Sequence, residues 1–267
     1  MGLWPLTYSP LDQRSNMPGP LLRLPPEIID QIFDLLHHDT KTLTQCCLVF
    51  KAWVPHTRRH LFNEIEIFDP SELEAWKMSF PDPASSPAHY ARFLRVRYAH
   101  TVTVKDAEEG GWIRSFSNVT RLELWGMYTP LDPFYILPSV KSLRVRFVTS
   151  QEVLRLVCSF PFLEDLDVWV AEKVDFDWAT FKPPTLPPLT GTLVHREGGT
   201  HVARLLLDLP GGLRFRKIAW ETSFSEGELE LVSGLMDKCS HTLQGIFVKA
   251  YGSGKRHSLG FRGKFTI

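Results

Sequence analysis

The sequence predicts an α/β protein in two unequal parts, a small all-α head followed by a curved α/β solenoid. Three observations predict this. Between residues 24 and 62, apolar side chains fall at helical spacing. From residue 91 onward, a template of apolar-x-x-apolar-x-apolar keeps returning, and its alternating runs RLELW, SLRVR and DLDVW read as strands. Between the two, the stretch PDPASSP (81–87) is too rich in proline and serine for a continuous element and reads as a linker or long loop.

Taken in order, residues 1–20 are rich in Pro, Gly, Ser and Asn and read as a flexible tail. The head follows over 21–70. Ile28, Ile29, Ile32, Phe33, Leu35 and Leu36 form the broad stripe of a first helix. Pro25 and Pro26 suit its start, where backbone N–H groups have no helical partner, and Glu27 and Asp30 complement the dipole there. Asp39 and Thr40 break the chain before a second helix carrying Leu43, Cys46, Cys47, Phe50 and Trp53, and His56 to Phe62 offers one more turn. A linker over 71–88 leads to the repeating region, 89–267.

The middle apolar position of each template copy falls at 94, 122, 143, 166, 193, 218 and 246. The steps of 28, 21, 23, 27, 25 and 28 lie close to the 20–29 residue period of leucine-rich repeats. Leu193 anchors a degenerate copy with His195 at its last apolar place. Amphipathic helices are expected at 151–160, 201–209 and 226–236, with Ser150 and Ser225 as caps, and FKPPTLPP (181–188) as an extended loop in place of a helix. Units of this kind bury their apolar faces only by stacking on one another. The closing residues, GKFTI, follow no polar capping helix, so either the tail folds back as its own cap or the sequence is shorter than its relatives.

Composition narrows the classes of function. The 267 residues carry 30 Lys+Arg against 30 Asp+Glu, which removes the electrostatic case for coating nucleic acid. No run approaches the ~18–20 apolar residues of a membrane span, and the N-terminus has no signal-peptide pattern, so a cytoplasmic or nuclear place is expected. Without a secretory route the Asn118-Val119-Thr120 sequon carries no weight. Cys46, Cys47, Cys158 and Cys239 form neither a disulfide framework nor a zinc knuckle and read as small buried apolar residues.

The head resembles the F-box. The residues that carry the resemblance are Leu24-Pro25, Glu27, Ile28, Ile32 and Leu35, then Leu48, Val49, Lys51 and Trp53, and the later Leu61-Phe62 pair. Phe50 stands where that family has Cys. The resemblance covers about residues 22–68, and the remainder is similar to the leucine-rich-repeat class of F-box proteins. It implies a substrate-recognition subunit of an SCF-type cullin–RING ubiquitin ligase, with a Skp-type adaptor (and through it the cullin) bound by the head and a protein substrate bound by the repeats. Leu24, Pro25, Ile28, Ile32 and Leu48 are the expected adaptor contacts, and Trp53 belongs to the head's own core. A 45-residue head is marginal alone, and its apolar stripe is wider than three short helices cover, which suits a helical partner. The other reading of the same residues is a repeat-based interaction scaffold whose head is an N-terminal cap without a ligase role.

If the template residues point inward, their neighbours point outward. Arg95 and Arg97, Arg121, Glu123 and Trp125, Arg144 and Arg146, Asp165, Asp167 and Trp169 then share one face with Lys217, Glu221, Phe247 and Lys249. Arg121, Trp125, Arg144, Arg146, Asp167 and Trp169 are the expected substrate contacts, because Arg and Trp anchor interfaces. The expected ligand is an acidic segment that also contacts aromatic rings. Motifs for catalysis, metal or cofactor are not found: Gly252-Ser253-Gly254-Lys255 reads as a turn, and His56 and His60, four apart with Arg58 and Arg59 between, read as a solvated helix face. Asp165 and Asp167 share a strand face, but nothing else suggests a catalytic cleft. The protein is therefore expected to be no enzyme.

Overall fold

The computed structural model describes residues 24–97, 102, 111–126, 131–172, 189–196, 200–209, 212–222 and 226–250. The predicted tail, the 181–188 loop, the Ser225 cap, the 252–255 turn and the closing residues lie outside them. The fold is mixed α/β, with seven α-helices and one eight-stranded sheet among the described residues.

The head begins with α1 (Pro26–Leu35), entered through Pro25 with Pro26 as its first residue. Asp39 caps α2 (Thr40–Val49): its carboxylate accepts from the Thr42 N–H at 3.0 Å and from the Thr42 hydroxyl at 2.7 Å. A 3-10 turn at Lys51–Trp53 leads into α3 (Val54–Leu61). Trp53 meets Phe33 and Phe50 edge-to-face, with ring centroids 5.8 and 5.7 Å apart, so the Phe at position 50 is accommodated against that indole. His56 and His60 are not a solvated face. His56 Nδ1 lies 2.6 Å from Asp30, and His60 Nε2 lies 3.4 Å from Asp34, so two residues four apart on α3 meet two residues four apart on α1. Burial holds the His60 imidazole below its ordinary value, while Asp34 pulls the other way.

The sheet starts earlier than the sequence predicts. Strand β1 (Glu64–Ile67) lies within the stretch assigned to the head and pairs with β2 (Phe93–Val96). The first half of the segment read as a linker, 71–88, is helix α4 (Pro70–Ser79). Asp69 caps it, and Leu73 and Trp76 enter the core. PDPASSP does avoid continuous structure, forming 3-10 turns at Pro83–Ser85 and Pro87–Tyr90, but it is anchored, with Pro87 and Ala88 buried. The remaining elements are β3 (Arg121–Trp125), β4 (Ser142–Thr149), α5 (Ser150–Ser159), β5 (Asp165–Glu172), β6 (Thr192–His195), α6 (Thr200–Leu207), β7 (Lys217–Thr222), α7 (Glu226–Cys239) and β8 (Gly245–Ala250). The cap of α5 is Thr149, one residue before the predicted Ser150; its hydroxyl accepts from the Glu152 N–H.

All eight strands are parallel, and their spatial order is their order in the chain. The register puts the template anchors in one row: Leu94 opposite Leu122, then Leu143, Leu166, Leu193, Ile218 and Ile246. Ile65 extends that row on β1. A second inward row runs through Val96, Leu124, Val145, Val168, His195 and Trp220. His195 is buried there and stacks on Trp220 with centroids 3.8 Å apart and planes within 8°. Cys158 and Cys239 are buried as expected, whereas Cys46 and Cys47 are only half-buried. Burial pushes the Cys158 thiol up to about 11, the mark of an inert core thiol.

One strand departs from strict alternation. After Arg146 the β4–β5 register slips, and Phe147 takes φ 54°, the left-handed region that bulky residues avoid. The slip absorbs one residue, so Val148 turns inward and is fully buried. It lies over Gly126, where a Cβ would come within 2.7 Å of the Val148 methyl. Phe147 is left on the outer face beside Arg146.

Candidate protein-recognition surfaces

Two surfaces stand out from the residues upward. The first is on the head. On α1, Ile28, Ile32 and Leu35 are exposed, and their i, i+4, i+7 spacing places them on one side of the helix. At the end of α2, Leu48 and Val49 are each 73% exposed. Of the expected adaptor contacts, Pro25, Ile28, Ile32 and Leu48 are exposed and Leu24 is half-buried. Three helices whose buried side chains include only Phe33, Leu43 and Thr57 thus leave five large apolar groups in water.

The second surface is the outer face of the sheet, organised in three columns by the strand register. The lowest contains Phe93, Arg121, Ser142, Asp165 and Thr192. The Arg121 guanidinium sits 4.7 Å above the Phe93 ring, and Asp165 accepts from the Thr192 N–H at 2.7 Å. Gly191 precedes Thr192 because any Cβ there would strike the Glu164 carbonyl and Asp165.

The middle column runs Glu66, Arg95, Glu123, Arg144, Asp167. Charges alternate strand by strand and pair along the row. Arg95 meets Glu66 and lies 3.1 Å from Glu123; Arg144 lies 3.4 Å from Glu123 and 2.7 Å from Asp167. Arg196 reaches Asp167 at 3.1 Å. Burial pushes the Glu123 carboxyl up, but the Trp125 N–H donated to it at 3.0 Å, with Arg95 and Arg144, outweighs that and holds it below its ordinary value. The expectation of arginines presented by the early strands is therefore corrected for this column. Arg95 and Arg144 are spent within the sheet, because Glu66 on the unanticipated strand β1 and Glu123 lie in the same row.

The upper column alternates cations and rings: Arg97, Trp125, Arg146, Trp169. Arg97 sits 4.4 Å from the Phe68 ring and 4.4 Å from Trp125, and Arg146 sits 5.0 Å from Trp125 and 5.5 Å from Trp169. Phe147, next to Arg146 on β4, lies against Trp169 with centroids 5.4 Å apart, and beyond Trp169 the row continues through Arg196, Glu221 and Lys249. A shallow groove of about 270 Å³ crosses the lower and middle columns, lined by Phe93, Arg121, Ser142, Arg144, Asp165 and Thr192 among others.

The six expected substrate contacts thus share one face but play different parts. Trp125, Arg146 and Trp169 form one row, Arg144 and Asp167 pair with each other, and Arg121 flanks the groove. Sequence reasoning missed Glu66, Phe68, Phe93 and Phe147. A signal for the first existed: Phe62, Ile65 and Ile67 fit the same apolar template one copy earlier. Among the described residues no group of three His, Cys, Asp or Glu is placed to hold a metal, and no helix is long and apolar enough to cross a membrane. Asp165 and Asp167 are both engaged as structural acceptors. Comparison with protein families, curated proteins and solved structures finds no match.

Proposed function

We propose that this protein is a substrate-recognition subunit of an SCF-type cullin–RING ubiquitin ligase. In this reading the head is an F-box that binds a Skp-type adaptor, and the sheet with its connecting helices is a leucine-rich-repeat-like curved solenoid that captures a protein substrate. The chain binds and positions, performs no chemistry itself, and works in the cytoplasm or nucleus. The observation that carries the reading is the exposure of Ile28, Ile32, Leu35, Leu48 and Val49 on a head with so little core of its own. Several of these are residues on which the F-box resemblance rests. A helical partner laid over them would remove about 25 cal/mol of unfavourable hydration for each Å² of apolar surface covered.

One observation favours the second reading, a scaffold capped by its head. Helix α3 contacts the 3-10 turn at Pro87–Tyr90, so the head also leans on the first edge of the sheet region. Co-expression with a Skp-type adaptor decides between them. The ligase reading expects a stable complex that the Ile32→Asp, Leu48→Asp double variant abolishes. A well-folded wild-type chain that leaves the adaptor unbound returns the head to a cap and removes ubiquitin from the account.

A further inference from the structure

The outer face is not uniformly available to a partner. In the middle column each charge has its opposite beside it. In the upper column the cations outnumber the anions. Among the described residues no carboxylate pairs with Arg97, and Arg146 has only Glu123, at 3.8 Å, which Arg95 and Arg144 already share. Burial lowers the Arg146 pKa below its ordinary value, with Glu123 and Asp167 pulling it up and Arg144 and Arg196 pushing it further down. Each guanidinium lies between two rings, and the Nε of both arginines is buried without a hydrogen-bond partner, so the terminal N–H groups are the donors on offer to a ligand.

Phe147 is an independent observation at the same place. Its backbone is held in the left-handed region, yet its ring remains 39% exposed, laid against Trp169 beside Arg146. Val148 and Gly126 account for the bulge, but nothing in them calls for an aromatic ring at position 147 rather than Gly or Asn, which tolerate that conformation. Strain retained beneath a partly exposed aromatic pair is a feature of binding sites.

We infer that this part of the upper column, Arg97, Trp125, Arg146 and Trp169 with Phe147 laid against Trp169, binds an extended anionic peptide segment lying across the strands. The two arginines stand two strands apart, ~9.6 Å at the usual strand spacing, and a segment in the polyproline II conformation covers about that distance in one turn of three residues, which brings the side chain back to the same face. The segment therefore carries negative groups three apart, with an apolar or aromatic side chain nearby to meet Trp169 and Phe147. The negative groups are carboxylates or phosphates, since both accept paired guanidinium N–H bonds. This deepens the reading of the sheet face as the substrate-capture surface and does not depend on adaptor binding.

The test uses the full-length chain and fluorescein-labelled, glycine-flanked peptides read by anisotropy. The probes are Glu-Ala-Phe-Glu, Gln-Ala-Phe-Gln, Lys-Ala-Phe-Lys, and the first with phosphoserine at both acidic places. One anionic peptide is expected to bind at least about tenfold more tightly than the Gln peptide at low salt, with the preference shrinking as salt rises. Whether Glu or phosphoserine is the tighter identifies the source of charge. The Arg97→Gln, Arg146→Gln variant is expected to lose the preference. Phe147→Asn, which keeps the left-handed backbone, is expected to weaken binding about tenfold or more while the melting temperature moves by only a few degrees. No preference for either anionic peptide up to millimolar concentration overturns the inference, as does a preference that survives both variants. Adaptor capture with no peptide preference refutes this inference alone; the reverse result refutes the ligase reading alone.

Discussion

The head and the sheet solve the problem of burying apolar surface in opposite ways. Each strand of the sheet lays its anchor beside the next, so Leu94, Leu122, Leu143 and Leu166 are all essentially excluded from water, and the outward charges of the middle column satisfy one another. The head has three helices, few buried side chains, and leucines at 35 and 48 that are 85% and 73% exposed. Stacking makes each unit both donor and recipient of apolar cover, whereas a lone helical trio has more stripe than partner. The difference teaches where external partners are needed for stability and where they are needed only for recognition. The sheet is internally complete, and its partner must compete for, or add to, groups already placed. The head is incomplete as it stands.

The strongest attack on this contrast is in the sheet. Trp220 on β7 is fully buried in the second inward row and stacks on His195 of β6, so Trp220→Ala removes the largest fully buried side chain among the described residues and leaves a cavity beside His195. The expected loss is about 3–5 kcal/mol, read as a fall in the denaturant midpoint with the m-value kept. A loss below about 1 kcal/mol would mean that neighbouring rows collapse to fill the space, and the picture of a close-fitted stack would be wrong.

A second, smaller effect concerns the ion ladder. Glu123 is buried and serves Arg95, Arg144 and the Trp125 N–H. Glu123→Gln leaves the guanidiniums without their shared carboxylate and is expected to cost about 1–3 kcal/mol at neutral pH. The sign with pH follows from the direction of its shift. The folded carboxyl is held below its ordinary 4.5, so its stabilisation is fully present above that value and is lost as pH falls through the folded value. Chemical denaturation across that acid range should show the wild type losing its advantage over Glu123→Gln on acidification. A constant gap between the two would show that the column owes its stability to stacking and not to charge.

Much of this arrangement was legible in the sequence, for a physical reason. Apolar-x-x-apolar-x-apolar fixes both the strand and its inward face, and the return of a copy every 21–28 residues fixes who stands beside whom, so anchors from 94 to 246 fall in one row as expected. Even the degenerate copy at Leu193 and the buried His195 follow from position. Three things were not legible. Strand β1 was hidden because Leu61-Phe62 fitted the head and drew Ile65 and Ile67 with it. Helix α4 was hidden because Pro70 and the prolines after Phe80 look like breakers, although a proline at the first helical position is favourable. The pairing of charges was hidden because it depends on which neighbours face each other across strands, and one of those neighbours, Glu66, belonged to the missing strand. The Phe147 bulge has one faint marker in the chain, the apolar doublet Phe147-Val148 that interrupts the alternation of RVRFVT, and which of the two turns inward depends on packing, with Val148 seated close over Gly126.

The smallest expected effect is the one that most sharpens the contrast. Ile32→Asp with Leu48→Asp places two charges on side chains that are 42% and 73% exposed, so in the isolated chain the change at Leu48 should alter stability by about 0.5 kcal/mol and that at Ile32 by about 1 kcal/mol. Helix propensity accounts for most of that, since Asp is a poorer former than Leu or Ile. Had those residues been core, the same pair would unfold the head, because a buried unpaired carboxylate is far costlier than a lost methylene. Thermal melts of the variant and the wild type therefore decide whether the apolar groups are idle in the monomer. A melting temperature within a few degrees of wild type, together with lost adaptor binding, assigns these residues to a partner alone. A large fall instead would show that the head already uses them, against another part of this chain, and the contrast between an incomplete head and a complete sheet would dissolve.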